Sequence, residues 1–168
     1  MSIEPRTRSL GEPETGASAA SAPSADAPDA YADEWAHLWF TLERHGWGSL
    51  ALVPAEPGAS AWPLAERLAE AARAYHASPV EVFDAERAGP EDVQAVTGAV
   101  GARAAEGARV LLVLASPLVR APAVPLARAA DAALLVVPLG TSAAGEARRT
   151  VAAVGQPHFV GSVTVRDR

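Results

Sequence analysis

The chain has 168 residues, of which 49% are hydrophobic and none is cysteine. This length suits one domain with a real core, and the lack of thiols excludes disulfides, thiol catalysis and thiolate metal sites. The net charge of −6 argues against nucleic acid or an anionic membrane surface as a partner. All 14 basic residues are arginine, so every mechanism that needs a lysine is excluded. The four histidines show no ligand spacing, and we expect no metal site.

The first segment of the chain differs in composition from the rest. Residues 1–28 are rich in Ala, Ser, Pro and acidic residues and lack any apolar period, which predicts a disordered tail. Residues 29–168 then form a single predicted domain. No window resembles a membrane span or a signal peptide, so we expect a cytoplasmic protein without membrane insertion.

An amphipathic helix of about sixteen residues is predicted to open the domain, and Gly46 and Gly48 are predicted to end it. Its apolar positions recur at helical spacing and form one stripe: Trp35, Leu38, Trp39 and Leu42. Packing against the core is the interpretation that such a stripe favours. Two tryptophans so close together also make Trp35 and Trp39 candidates for a partner interface.

Apolar runs and helical patterns then alternate to the end of the chain. The runs lie at about 49–54, 79–83, 109–115, 132–138 and 159–165, and the helical patterns at about 63–76, 91–105, 121–130 and 143–154. This alternation predicts an α/β domain with three layers, α/β/α, around a mainly parallel sheet of about five strands. Ligands in such folds bind beyond the carboxyl ends of the strands, which draws attention to the loops at 54–62, 84–90 and 115–121.

The first of these loops has the outline of a phosphate-binding loop without its chemistry. Such a loop needs glycines for close backbone approach, a lysine for the phosphate charge and a hydroxyl for Mg²⁺. Residues 57–69, P-G-A-S-A-W-P-L-A-E-R-L-A, resemble the P-G-E-G-K-[ST]-x-x-A-x-N-L-A signature of bacterial tyrosine kinases of capsule and exopolysaccharide synthesis, which are relatives of the MinD/ParA ATPases. The residues that match are Pro57, Gly58, Ala65, Leu68 and Ala69. Ser60 replaces the second glycine, Ala61 the lysine and Trp62 the hydroxyl.

Other segments resemble the same family in the same order. Asp84 and Glu86 follow an apolar strand, as in the family's D-x-D-x-R motif. The run V-L-L-V-L-A-S-P at 110–117 resembles its V-I-I-D-[TS]-P-P strand, with Leu114 in place of the Mg²⁺-binding aspartate. Residues 127–141 and 159–165 resemble its later segments. The first helix, with His37 and Phe40 at the arginine positions of the E-x-x-R-x-x-R oligomerisation motif, lacks both arginines.

The resemblance implies a P-loop NTPase-like fold whose site has lost catalysis. We expect a pseudo-kinase or pseudo-ATPase without catalytic residues or cofactor, acting as a protein-binding or regulatory module in polysaccharide synthesis and export. Its partner would be a membrane-bound chain-length regulator or an active kinase homologue. Two alternatives stay open. One is an accessory protein of another P-loop machine, ParA/MinD-like or RecA-like, and the other is a weakly active NTPase that uses Asp84, Glu86 and an arginine.

Trp62 has two interpretations of similar weight. Its indole either fills the vacated phosphate pocket or anchors a partner, or it is an ordinary half-buried aromatic. For Asp84 and Glu86 we favour roles in capping the strand end or facing solvent, and for Asp131 a role in fixing a turn. Ser60, Ser116 and Thr141 are poor candidates for nucleophiles because no histidine is expected near them.

Overall fold

The computed structural model describes residues 32–75, 78–140 and 144–166. Within these ranges the helices are α1 (Ala32–Glu43), α2 (Trp62–Tyr75), α3 (Val93–Ala105), α4 (Ala123–Ala129) and α5 (Ala144–Val154). The strands are β1 (Ser49–Pro54), β2 (Val80–Asp84), β3 (Arg109–Val113), β4 (Ala132–Pro138) and β5 (Phe159–Val165). Single turns of 3-10 helix, Pro90–Asp92 and Gln156–His158, precede α3 and β5. The predicted tail at 1–28 and Thr141 lie outside the described residues.

The five strands form one parallel sheet in the order β2-β3-β1-β4-β5. The central strands are apolar on both faces because helices cover the sheet on each side. One core cluster joins α1 and α2 to one face of the sheet, through residues such as Leu50 and Leu111. The other joins α3, α4 and α5 to the opposite face, through residues such as Val53 and Leu112. The predicted three-layer, P-loop-like α/β/α class is therefore confirmed.

Helix α1 packs as the apolar stripe predicts. Trp39 and Leu42 are buried beside Trp47, which follows the helix in the chain. The rings of Trp39 and Trp47 meet edge to face with centroids 5.6 Å apart, and Trp47 Nε1 donates to the Leu42 carbonyl at 2.8 Å. The helix ends at Glu43, and Gly46 then adopts a φ of 66°, a left-handed conformation that glycine accepts without strain.

The boundaries differ from the predicted ones where turns interrupt an apolar run. Strand β3 ends at Val113, before the predicted 115, because the chain turns at Ser116 and its hydroxyl accepts from the Leu118 N–H. Helix α4 begins at Ala123, after Pro122. Among the described residues, no helix is long and apolar enough to cross a membrane.

One edge of the sheet carries an ion pair. Arg103 on α3 donates from Nε to both carboxylate oxygens of Glu81 on β2, at 3.0 Å each, and its Nη1 reaches Glu106. The hydrogen bonds to Glu81 and the charges of both carboxylates raise the pKa of Arg103 above its usual value. The ion pair joins α3 to the β2 edge of the sheet.

Candidate functional site

The strand order identifies one crevice at the carboxyl edge of the sheet. Strands β1 and β3 are neighbours, but the chain leaves β1 for α2 on one face and leaves β3 for α4 on the other. In open parallel sheets, ligands bind where connections diverge in this way. The bordering loops are residues 55–61 and 114–122, and the first contains the start of the segment at 57–69 that resembles a phosphate-binding loop.

The β1–α2 loop begins with a tight turn over residues 56–59. Gly58 has a φ of 83°, and the Ala59 N–H donates to the Glu56 carbonyl at 3.3 Å. Proline at the second position and a left-handed glycine at the third are typical of a type II turn. Pro57 and Gly58, two of the five residues that match the resembled signature, thus shape the backbone of this turn.

The start of the loop is held by its backbone at Ala55. Its N–H donates to the Val136 carbonyl at 2.8 Å, which extends the β1–β4 ladder by one residue. Its carbonyl accepts from the fully buried Thr150 hydroxyl on α5 at 3.2 Å. Sequence reasoning missed Thr150 because its partner lies 95 positions away.

Few backbone donors remain at the first turn of α2, where a phosphate would bind. The Trp62 N–H donates to Ser60 Oγ at 3.1 Å, and Pro63 has no N–H. The Ala65 N–H already belongs to the helix, donating to the Ala61 carbonyl at 3.0 Å. Ala61 is itself fully buried in the core cluster of α1 and α2. The position that would carry the lysine therefore belongs to the core.

The loops after β1 and β2 meet through a hydrogen bond between two predicted site residues. Ser60 Oγ donates to Glu86 Oε1 at 2.5 Å, while Asp84 Oδ1 accepts from the Glu86 N–H at 3.1 Å. Asp84 is exposed and fixes its own turn, as the capping interpretation expects. Among the described residues, no group of three or more His, Cys, Asp and Glu side chains is arranged to hold a metal ion.

Two of the residues that follow β3 are buried. Leu114 is fully buried in the cluster of α3, α4 and α5, and its N–H donates to the Leu52 carbonyl at 3.2 Å. Ser116, two residues on, is also buried. An ionised carboxylate at position 114 would lose its hydration without gaining a partner, so this environment suits leucine.

The three tryptophans predicted as an interface have different environments. Trp62 and Trp35 are half-buried and pack against the core cluster of α1 and α2. Trp62 Nε1 donates to Glu66 Oε1, one turn further along α2, at 2.8 Å. Trp39 is fully buried. Its indole makes core contacts and offers no surface to a partner, so only Trp62 and Trp35 have exposed surface to offer.

Asp131 lies at the opposite edge of the sheet from these loops. Its Oδ2 accepts from the N–H groups of Gly48 and Ser49 at 2.9 and 2.8 Å and from Ser49 Oγ at 3.1 Å. The Asp131 N–H in turn donates to Ser49 Oγ at 3.0 Å. Asp131 therefore fixes the turn before β4, as predicted, and does so by joining it to the start of β1.

Two shallow, open pockets are present, and the first borders the ends of the loops at 84–90 and 115–121 that the sequence singled out. One, of about 370 Å³, is lined by Pro90, Val93, Ala121, Pro122 and Pro125 between the starts of α3 and α4. The other, of about 420 Å³, lies along α5. Neither lining includes a residue of the phosphate-loop segment or the acidic motif.

No protein-family model matches the sequence, and no curated protein shows significant similarity to it.

Proposed function

We propose that this protein is a non-catalytic relative of P-loop ATPases that acts by binding another protein. One observation supports this most strongly. A phosphate would have to bind at the first turn of α2. There the Trp62 N–H already donates to Ser60 Oγ, and Pro63 has no N–H to offer. A helix N-terminus attracts anions through its free N–H groups, and this helix offers few of them.

The missing side chains weaken nucleotide binding further. The chain has no lysine, and Ala61, Trp62 and Leu114 occupy the three positions of the phosphate and Mg²⁺ contacts. Charge-assisted hydrogen bonds are worth roughly 1.5–3 kcal/mol each, so three lost contacts weaken binding by roughly three to six orders of magnitude. Phosphoryl transfer depends on positioning and charge stabilisation, so catalysis would suffer at least as much.

A surface around Trp62 is the best candidate for partner contact. Trp62 is half-buried, with its indole held by Glu66, and it adjoins the exposed Ser60. A large aromatic that is already ordered loses little entropy on binding, which is why such residues dominate protein interfaces. Trp35 on α1 packs against the same core cluster and is a second candidate for partner contact.

The resemblance gives the setting of this proposal. We propose a cytoplasmic protein of exopolysaccharide or capsule synthesis and export, whose partner is a membrane-bound chain-length regulator or an active kinase homologue. The test is capture of these candidates, taken from the neighbouring genes, by the purified chain. Trp62→Ala should reduce capture at least tenfold, whereas Tyr75→Ala, an exposed aromatic at the far end of α2, should not. Equal capture by both variants would overturn the assignment of this surface.

The Ser60–Glu86 contact favours a second candidate function, that of a weakly active NTPase. It joins the loop after β1 to the acidic motif, with Arg87 adjacent in the chain. A turnover assay with Mg-ATP and Mg-GTP distinguishes this candidate from the first. Turnover that disappears in Glu86→Ala would support the enzyme, and equal background rates in both proteins would exclude it.

A further inference from the structure

The two edge strands of the sheet differ in how they are protected. The β2 edge is short, follows Pro79 and carries the Glu81–Arg103 ion pair together with Asp84. Charges and proline of this kind discourage pairing with other chains. Strand β5 spans seven residues, F-V-G-S-V-T-V, without a charge or a proline, and pairs only with β4 among the described strands. A register irregularity lies near its start, and from Gly161 to Val165 the pairing with β4 is regular. An edge of this kind is a template for further pairing.

One hydrogen bond fixes which backbone groups of β5 face outward. The Leu139 N–H donates to the Val165 carbonyl at 2.7 Å, and Val165 is in register with Pro138. In a parallel ladder both backbone groups of a residue point to the same side, and successive residues alternate. Val165 and Val163 therefore bond toward β4. Ser162 and Thr164 present their N–H and C=O groups at the free edge.

The side chains of β5 follow the same alternation. Val163 and Val165 pack against the core cluster of α1 and α2, whereas the side chains of Ser162 and Thr164 are exposed on the other face. A second β5 can be placed antiparallel to the first so that the Val163 residues of the two copies lie opposite each other, related by a two-fold axis. Ser162 of each copy then lies opposite Thr164 of the other copy. These opposed residues share a face, and both carry the free backbone groups. In this register the strand is complementary to itself.

We propose that β5 pairs antiparallel with β5 of a second copy of this chain, with Val163 on the two-fold axis. Ser162 of each copy exchanges both backbone hydrogen bonds with Thr164 of the other, and their hydroxyls lie side by side. The two five-stranded sheets become one continuous sheet. This contact is isologous, so it closes at the dimer and does not propagate into fibres. The contact is small, and we expect a dissociation constant on the order of 10 µM.

The first test uses sedimentation equilibrium of the full chain over a micromolar concentration series. Thr164→Pro removes an N–H that no described strand of the monomer pairs with, and proline is tolerated at such a position of an edge strand. Thr164→Ala is the matched control because it keeps the N–H. We expect a monomer–dimer equilibrium in the parent and in Thr164→Ala, and at least a tenfold weaker one in Thr164→Pro. A parent that is monomeric at every concentration would overturn the proposal, as would a dimer insensitive to the proline.

A charge exchange tests the register without altering the backbone. Ser162→Lys/Thr164→Lys and Ser162→Glu/Thr164→Glu each place like charges opposite one another across the proposed axis, and both exposed positions tolerate such side chains. Each variant alone should be monomeric, with an unchanged thermal midpoint as evidence of folding. An equimolar mixture should form a heterodimer because Lys and Glu then face each other. A mixture that stays monomeric, or single variants that still dimerise, would rule out this pairing.

Discussion

Replacing Asp131 with alanine should destabilise the fold through the start of β1. The Asp131 carboxylate oxygen accepts three hydrogen bonds, two from backbone N–H groups of Gly48 and Ser49 and one from the Ser49 hydroxyl. A hydrogen bond to a charged group is worth roughly 1.5–3 kcal/mol when buried. Asp131 is exposed, so we take about 1 kcal/mol for each bond and expect a loss of about 3 kcal/mol in the free energy of unfolding.

The assay is urea unfolding followed by tryptophan fluorescence, with a thermal melt beside it. A loss of about 3 kcal/mol should lower the midpoint temperature by roughly 6–12 °C for a domain of this size. Asp131→Asn keeps one acceptor oxygen and should lose about half as much. Glu70→Ala, which removes an exposed ion pair with Arg67, is the matched control and should change stability by less than about 0.5 kcal/mol. An Asp131→Ala variant as stable as this control would refute the role assigned to Asp131.

Two further substitutions test the candidate site itself. Leu114→Asp should lower the free energy of unfolding by about 3–5 kcal/mol at neutral pH, more than Leu114→Asn does, because its buried carboxylate has no charged partner. Burial raises the pKa of this carboxyl group. The difference in stability between the two variants should therefore shrink as the pH falls toward about 4. A difference that persists in acid would contradict this account. Thr150→Val removes the hydroxyl that holds the Ala55 carbonyl and should cost about 1–2 kcal/mol in urea unfolding. Thr41→Val, which loses an exposed bond within α1, should cost less than about 0.5 kcal/mol, and equal losses in the two variants would contradict the anchoring role.

Local patterns were sufficient to predict the elements of this fold. The apolar runs at 132–138 and 159–165 coincide with β4 and β5. The helix predicted at 63–76 begins one residue after α2 does, and position 76 lies outside the described residues. Each of these segments has a clear helical period or a bounded apolar run, and the segments on either side fit the same strand–helix alternation. Consistency of this kind is what makes sequence patterns informative.

The contacts of the candidate site could not be predicted because they join distant parts of the chain. Ser60 and Glu86 meet only because the loops after β1 and β2 share one edge of the sheet, and neither partner has a local signal for the other. The strand order, which places β3 beside β1, likewise follows from tertiary packing. Helical spacing predicted that Trp35 and Trp39 lie on one stripe. How far each side chain is buried depends on how α1 packs against the rest of the core.

Gene neighbourhood distinguishes the proposed setting from the accessory alternatives. Glycosyltransferases and a polysaccharide export gene beside this one would support a role in polysaccharide synthesis. A partition operon or a polymerase would favour another P-loop machine.

Titration of the purified chain with Mg-ATP, by calorimetry and by tryptophan fluorescence, tests the central claim most directly. Trp62 is the first residue of α2 and adjoins the loop, so a bound phosphate would change its emission. An active kinase of the resembled family serves as the positive control. The account predicts no saturable heat or emission change below about 1 mM nucleotide. Micromolar binding, or hydrolysis above the background rate, would contradict it.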